Sequence, residues 1–205
     1  MNNALTAVEA LSGPPAEWQR QDGHRLRCYD SAMQPAQIPD GFGPALLFEL
    51  DIAERQLLAL ANAIPMEKYG WCPAESARSV SEVLVHIAAG NFFPLQLAAH
   101  DPAPDLYGHI TSQGEERVSA VVKQNDVLEK TITGKDAVVT LLTRALHAVR
   151  EAITNGDEAT LAQPVMRRLY MRMIAHTHEH MGQMIAYTRM MGMPVPWPDW
   201  RPDKR

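Results

Sequence analysis

The feature that most constrains this chain is an apolar stripe near its C-terminus. Leu169, Met173, His176, His180, Met184, Tyr187 and Met191 follow one another at steps of 4, 3, 4, 4, 3 and 4. That is the spacing of one face of an α-helix. Pro164 suits a first helical turn, while Gly192 and Pro194 end the pattern, so the spacing predicts a helix over 164–191. Two histidines stand inside the stripe, where core residues are expected.

Three further segments carry a helical period. In 44–64, Leu46, Leu47, Leu50, Ile52, Leu57, Leu58 and Leu60 form a broad apolar face, with Pro44 in the first turn and Pro65 beyond the end. In 79–99, Ser79 and Glu82 fit a capping box ahead of Val80, Val83, Leu84 and Ile87. Pro94 is expected to kink that helix or end its regular part. In 134–154, Val138, Leu141, Leu142, Leu146 and Val149 share a face, Thr133 is the expected N-cap, and Asn155-Gly156 is the stop. Residues 112–130 are a further helical segment with a weaker pattern. No internal repeat and no strand series is present. The expected fold is all-α, a four-helix bundle over 44–197. Residues 1–43, with four prolines and no sustained period after a short helical stretch at Ala4–Leu11, read as an irregular N-terminal extension, and 198–205 as a tail.

At 205 residues the chain is sized for one domain, and its 46% hydrophobic and 21% charged residues suit a globular core. The net charge of −5, without a basic run, argues against nucleic-acid binding by phosphate neutralisation. No apolar run reaches the roughly 18–20 residues of a membrane span. The N-terminus lacks the charged and apolar regions of a signal peptide. Two cysteines, Cys28 and Cys72, make no disulfide framework. The expectation is a cytoplasmic protein.

His176 and His180, at i and i+4, place their imidazoles on adjacent turns, close enough to share one metal ion. His178 is rotated away from both. His86, in SEVLVHIAAG, is flanked by small residues that leave room for close approach, and a bundle can bring it to face the pair. Three neutral imidazoles with an open position describe a catalytic zinc-type site, although imidazole also suits nickel, iron and copper. The bland alternative is a set of core histidines bonded to backbone. Thr177 excludes the HExxH arrangement with its adjacent general base.

Two segments carry a family resemblance. WCPAESARSVSEVLVHIAAGN, residues 71–91, and HTHEHMGQMIAYTRMMGMPVPW, residues 176–197, resemble the DinB/YfiT-like superfamily of candidate metalloenzymes, which is distinct from the DNA polymerase sharing the name. The resemblance implies that His86, His176 and His180 are the metal ligands. Gly182 and Gln183 match the Gly-Gln that follows the third histidine. Met181 and Cys72 depart from the pattern, standing where arginine is usual or frequent. The resemblance further implies a four-helix bundle, often dimeric, with a divalent metal near one end; some relatives are transferases or isomerases that use low-molecular-weight thiols.

The leading expectation is therefore a metal-dependent enzyme acting on a small molecule, with a thiol as a candidate co-substrate, zinc as the first choice of metal, and a homodimeric state. A cation held by neutral ligands keeps its charge and favours the ionised form of a thiol or water. Glu179 should point away from the ligands, Asp51 reads as solvated, and Cys72 has no activating base in sequence. His24, His100, His109 and His147 have no partner spacing. Met190, Met191, Met193, Trp197 and Trp200 form an apolar C-terminal cluster suited to core, pocket wall or dimer contact. The alternatives are a non-catalytic helical module with a structural metal closed by a fourth ligand, and a metal-free interaction protein.

Overall fold

The computed structural model of the chain describes residues 40–98 and 101–197. The expected N-terminal extension, with Cys28 and His24, falls almost wholly outside the described residues, as do His100, Trp200 and the tail. The described elements are all helical: α1 (Phe42–Ala63), a 3₁₀ turn (Met66–Lys68), α2 (Val80–Leu97), α3 (Pro104–Tyr107), α4 (Gly114–Thr131), α5 (Lys135–Asn155), α6 (Glu158–Leu161) and α7 (Pro164–Met190). Helices α1 and α2 each pack against both α5 and α7, and α4 adds a fifth long helix against α2. The weakly patterned 112–130 segment is thus a full helix, though a marginal one for the core. It buries Val121 and Leu128 but leaves Val118, Val122 and Val127 exposed.

The core is where the apolar periods put it. Leu50, Leu57 and Leu60 of α1, Leu84, Ile87 and Phe92 of α2, Leu142 and Leu146 of α5 and Met184 of α7 are fully buried. Met191, Met193 and Trp197 pack partly against this core, whereas Met190 is exposed.

Helix ends show where local signals held and where distant residues overrode them. At α2 the capping box forms: Glu82 N–H donates to Ser79 Oγ at 3.3 Å and Ser79 N–H to Glu82 Oε2 at 2.7 Å. Pro94 does not end α2, which continues to Leu97; its missing N–H leaves the Gly90 carbonyl without an i→i−4 partner. Helix α1 begins at Phe42, two residues before the expected start. The Glu158 carboxylate, from α6, accepts the N–H groups of Phe42 at 2.5 Å and Gly43 at 3.1 Å, replacing a local cap. Thr133 is not the cap of α5. Gly134 occupies that position without a side-chain hydrogen bond. Lys135 instead reaches across to the last carbonyls of α1, donating to Asn62 O at 2.7 Å and Ile64 O at 2.8 Å, so the start of one helix closes the end of another.

Ser79→Ala should cost about 1 kcal/mol, read as a fall in melting temperature of roughly 2–4 °C for a chain of this size. Glu82 also pairs with Lys130. That hydrogen bond, followed by the one from the Ser79 backbone, pulls the Glu82 carboxyl from 4.5 down to about 2. A depressed acid stabilises the fold above its unfolded value and loses that contribution as pH falls through its folded one. Stability should therefore decline between pH 4.5 and about 2, and Glu82→Gln should flatten this limb of a pH-dependent unfolding series.

Candidate metal centre

The closest approach of α2 and α7 sets the site. A Cβ built on Gly90 of α2 would lie 2.5 Å from Cε1 and 2.6 Å from Nδ1 of His176. Only glycine lets the imidazole rest against that backbone. One residue further, Asn91 Nδ2 donates to Thr177 Oγ1 at 3.1 Å and to Ile87 O at 2.8 Å. Both side chains are fully buried, so this bond ties the two helices in register.

Across this contact, ligand atoms of His86, His176 and His180 all lie within 4.8 Å of one another. Nε2 of His176 is 3.0 Å from Nε2 of His86, and the ring centroids stand 4.5–4.8 Å apart. The sequence-predicted histidines are thus brought together, with one correction to their burial. The buried seam of α7 runs through Tyr170, Met173, Thr177, Met181, Met184, Tyr187 and Thr188. His176 and His180 are each one residue before a seam position, so they are half-buried at its edge rather than in its centre. That offset is what leaves them accessible. Met181, the departure from the resemblance, is a buried core residue.

His178 turns elsewhere, with Nε2 at 3.4 Å from Oε2 of Glu49 on α1. Glu179 is exposed and lies 3.4 Å from Arg172. Asp51 is exposed and accepts from Arg150 at 2.6 Å. Cys72 is exposed. His147 and His109 meet Glu54 and Asp101 at 3.4 and 3.6 Å, away from the cluster.

The contacts around the triad were not legible in sequence, and neither was the part played by Glu129 and Arg78. Glu129, on α4 and only 5% exposed, receives His86 Nδ1 at 2.5 Å on Oε1 and Arg78 Nε at 2.7 Å on Oε2. Burial works to raise its carboxyl, but the hydrogen bonds from His86 and Arg78 outweigh burial and hold it below the usual range. His180 Nδ1 meets Gln183 Oε1 at 2.7 Å, Gln183 Nε2 donates to Tyr187 Oη at 2.8 Å, and Tyr187 Oη donates to Arg78 O at 3.1 Å. Trp71 packs edge-on against Tyr187, centroids 5.3 Å apart.

Burial, then the neighbouring His180 and His86, pushes His176 from 6.5 down to about 4. Burial likewise lowers His180, against the hydrogen bond to Gln183. These two rings are neutral at pH 7 and offer lone pairs. His176 Nδ1 is buried without a hydrogen-bond partner. Neutral nitrogen donors at mutual distances that one ion can span are the donor set of a divalent transition metal, so the residues present fit such a group. A cavity of about 270 Å³ adjoins His86 and His176, walled by Phe93, Val122, Leu169 and Met173, with Arg172 and Asp126 also lining it.

The sequence pattern of the DinB superfamily matches residues 49–187, a span that contains the three histidines and Glu129. The chain belongs to the DinB superfamily. No curated protein and no solved structure matches it. Among the described residues, no helix is long and apolar enough to cross a membrane.

Two glycines in long helices separate site packing from helix propensity. Gly182 of α7 has nothing within 4 Å of a built Cβ, so Gly182→Ala should gain about 1 kcal/mol. Gly90→Ala should forfeit that gain, because the new methyl must displace the His176 ring. Thermal unfolding of the two variants should show Gly182→Ala above the parent and Gly90→Ala at or below it.

Proposed function

We propose that this chain binds one divalent metal ion, zinc first among the candidates, through His86, His176 and His180, and catalyses a reaction of a small molecule with a low-molecular-weight thiol. The observation that carries the reading is the convergence of three imidazoles from two helices within 4.8 Å, beside a cavity of small-molecule size. The family adds support, since the residues that converge lie within the matched span and are those the resemblance implies as ligands. When bound, the ion would supply a positive charge that favours the ionised form of a thiol at neutral pH.

The chain's own residues supply the rest. Neutral histidines leave the charge of the ion uncompensated. Glu129 and Gln183 hold two of the rings. Phe93, Val122, Leu169 and Met173 give the cavity an apolar wall for an electrophile to rest against. A purely structural metal would call for a fourth protein ligand. Among the described residues, the cluster of His, Cys, Asp and Glu groups comprises three members, which favours catalysis over a structural role. The exposed thiol of Cys72 fits the reducing cytoplasm. Exposed Val118 and Val122, one turn apart on α4, offer apolar surface for the homodimer that the family resemblance implies.

Metal analysis of protein purified without a histidine tag tests the ligand set. After zinc loading and dialysis the parent should retain one ion per chain, and light scattering of the same sample should give the mass of a dimer. His86→Ala, His176→Ala and His180→Ala should each lose the ion while remaining helical, and His178→Ala should keep it. Full occupancy in any of the first three would overturn the assignment. A screen of thiols with small electrophiles tests the reaction: turnover should need both metal and thiol and vanish in His176→Ala. Metal-loaded protein that turns over no thiol–electrophile pair would leave the structural-metal reading in its place.

A further inference from the structure

The hydrogen bonds behind the triad have only one consistent direction, and it begins at Arg78. A backbone carbonyl can only accept, so Tyr187 Oη spends its single proton on Arg78 O at 3.1 Å. The Gln183 atom 2.8 Å from Tyr187 Oη must then be the donor, its amide NH₂. The amide oxygen therefore faces His180, and Nδ1 of His180, 2.7 Å away, must carry the ring proton. The orientation of the amide and the tautomer of the imidazole follow from one carbonyl.

The side chain of the same residue sets the other half. Arg78 Nε donates to Glu129 Oε2 at 2.7 Å. The nearly buried carboxylate has its second oxygen 2.5 Å from His86 Nδ1. A carboxylate paired with a guanidinium accepts, so His86 also carries a proton on Nδ1, which in the neutral ring leaves the lone pair on Nε2, the atom that faces His176 at 3.0 Å. Arg78 itself is held at the end of the loop before α2. On either side of it, Val80 N–H donates to Trp71 O and Ser81 N–H to Tyr69 O, each at 2.9 Å.

We propose that Arg78 is a positioning residue that fixes both His86 and His180 in the Nδ1–H tautomer, through its guanidinium for one and its carbonyl for the other, and so presents two Nε2 lone pairs to the metal ion. The inference takes the metal-binding reading as its basis. One loop residue thereby couples ligands on two different helices. Outer partners of this kind fix ring orientation and raise metal affinity.

The two halves separate by mutation. Arg78→Ala removes the guanidinium but keeps the carbonyl; Tyr187→Phe removes only the hydroxyl. Two-bond ¹H–¹⁵N correlation spectra of the imidazoles, recorded on the full-length metal-free protein at neutral pH, read the tautomers directly. The parent should show both His86 and His180 as Nδ1–H. Arg78→Ala should shift His86 towards a tautomer mixture and leave His180 unchanged, Tyr187→Phe should do the reverse, and Arg78→Lys, which keeps a cation beside Glu129, should restore His86. Zinc affinity, measured by chelator competition, should fall about 10–100-fold in Arg78→Ala and Tyr187→Phe. An Nε2–H tautomer at either histidine in the parent, or tautomers and affinities unmoved by both substitutions, would overturn the proposal. A parent with the expected tautomers but no zinc affinity would refute the metal reading alone, leaving Arg78 as the group that sets the two rings.

Discussion

The site depends on how closely α2 can approach α7. Gly90 presents bare backbone to the Cε1–Nδ1 edge of His176, and a single added carbon would stand within 2.6 Å of two ring atoms. With the helices at this separation, the buried Asn91–Thr177 bond forms beside the triad and His86 reaches His176. Glycine inside a helix normally costs about 1 kcal/mol relative to alanine. Here that cost accompanies the meeting of two imidazoles across a helix interface.

Burial gives the triad its chemistry. Half-buried rings packed against one another disfavour protonation, which is why His176 falls to about 4. Uncharged imidazoles can crowd together where imidazolium ions would repel. The one nearly buried carboxylate nearby, Glu129, is held ionised by Arg78 and His86, so negative charge sits behind His86 rather than among the three rings. Opposite it, the chain from Arg78 O through Tyr187 and Gln183 to His180 contains no ionised side chain. The two histidines are therefore braced by different means, an ion pair on one side and a neutral relay on the other.

Much of this was legible in the sequence because it is periodic or local. The i, i+4 spacing of His176 and His180 put both on one face, the small residues after His86 signalled room for another ring, and the Ser79–Glu82 capping box formed as written. The stripe of α7 holds at Met173, Met184 and Tyr187, which are buried, but not at the two histidines. Histidines counted as core members lie beside a seam that includes Thr177 and Thr188, polar residues that bury by bonding to their own helix through Met173 O and Met184 O. What sequence could not reveal depends on distant pairing. Glu129 lies 43 residues from His86, on a helix too polar to announce a core role. Glu158 caps α1 from 115 and 116 residues away. Arg78 lies in a loop, where no period marks a position. Gln183 and Tyr187 were visible as a family match and a stripe member, but their relay needs the fold.

X-ray absorption spectroscopy of the zinc-loaded protein tests whether three imidazoles, and no sulfur or fourth protein group, hold one metal ion at the meeting of α2 and α7. The spectrum should show an imidazole pattern fitted by three histidine nitrogens at about 2.0–2.1 Å, with a light scatterer from solvent completing the shell and a thiol replacing it when added. A shell that fits only one histidine, or that contains sulfur at about 2.3 Å before any thiol is present, would contradict the three-histidine assignment.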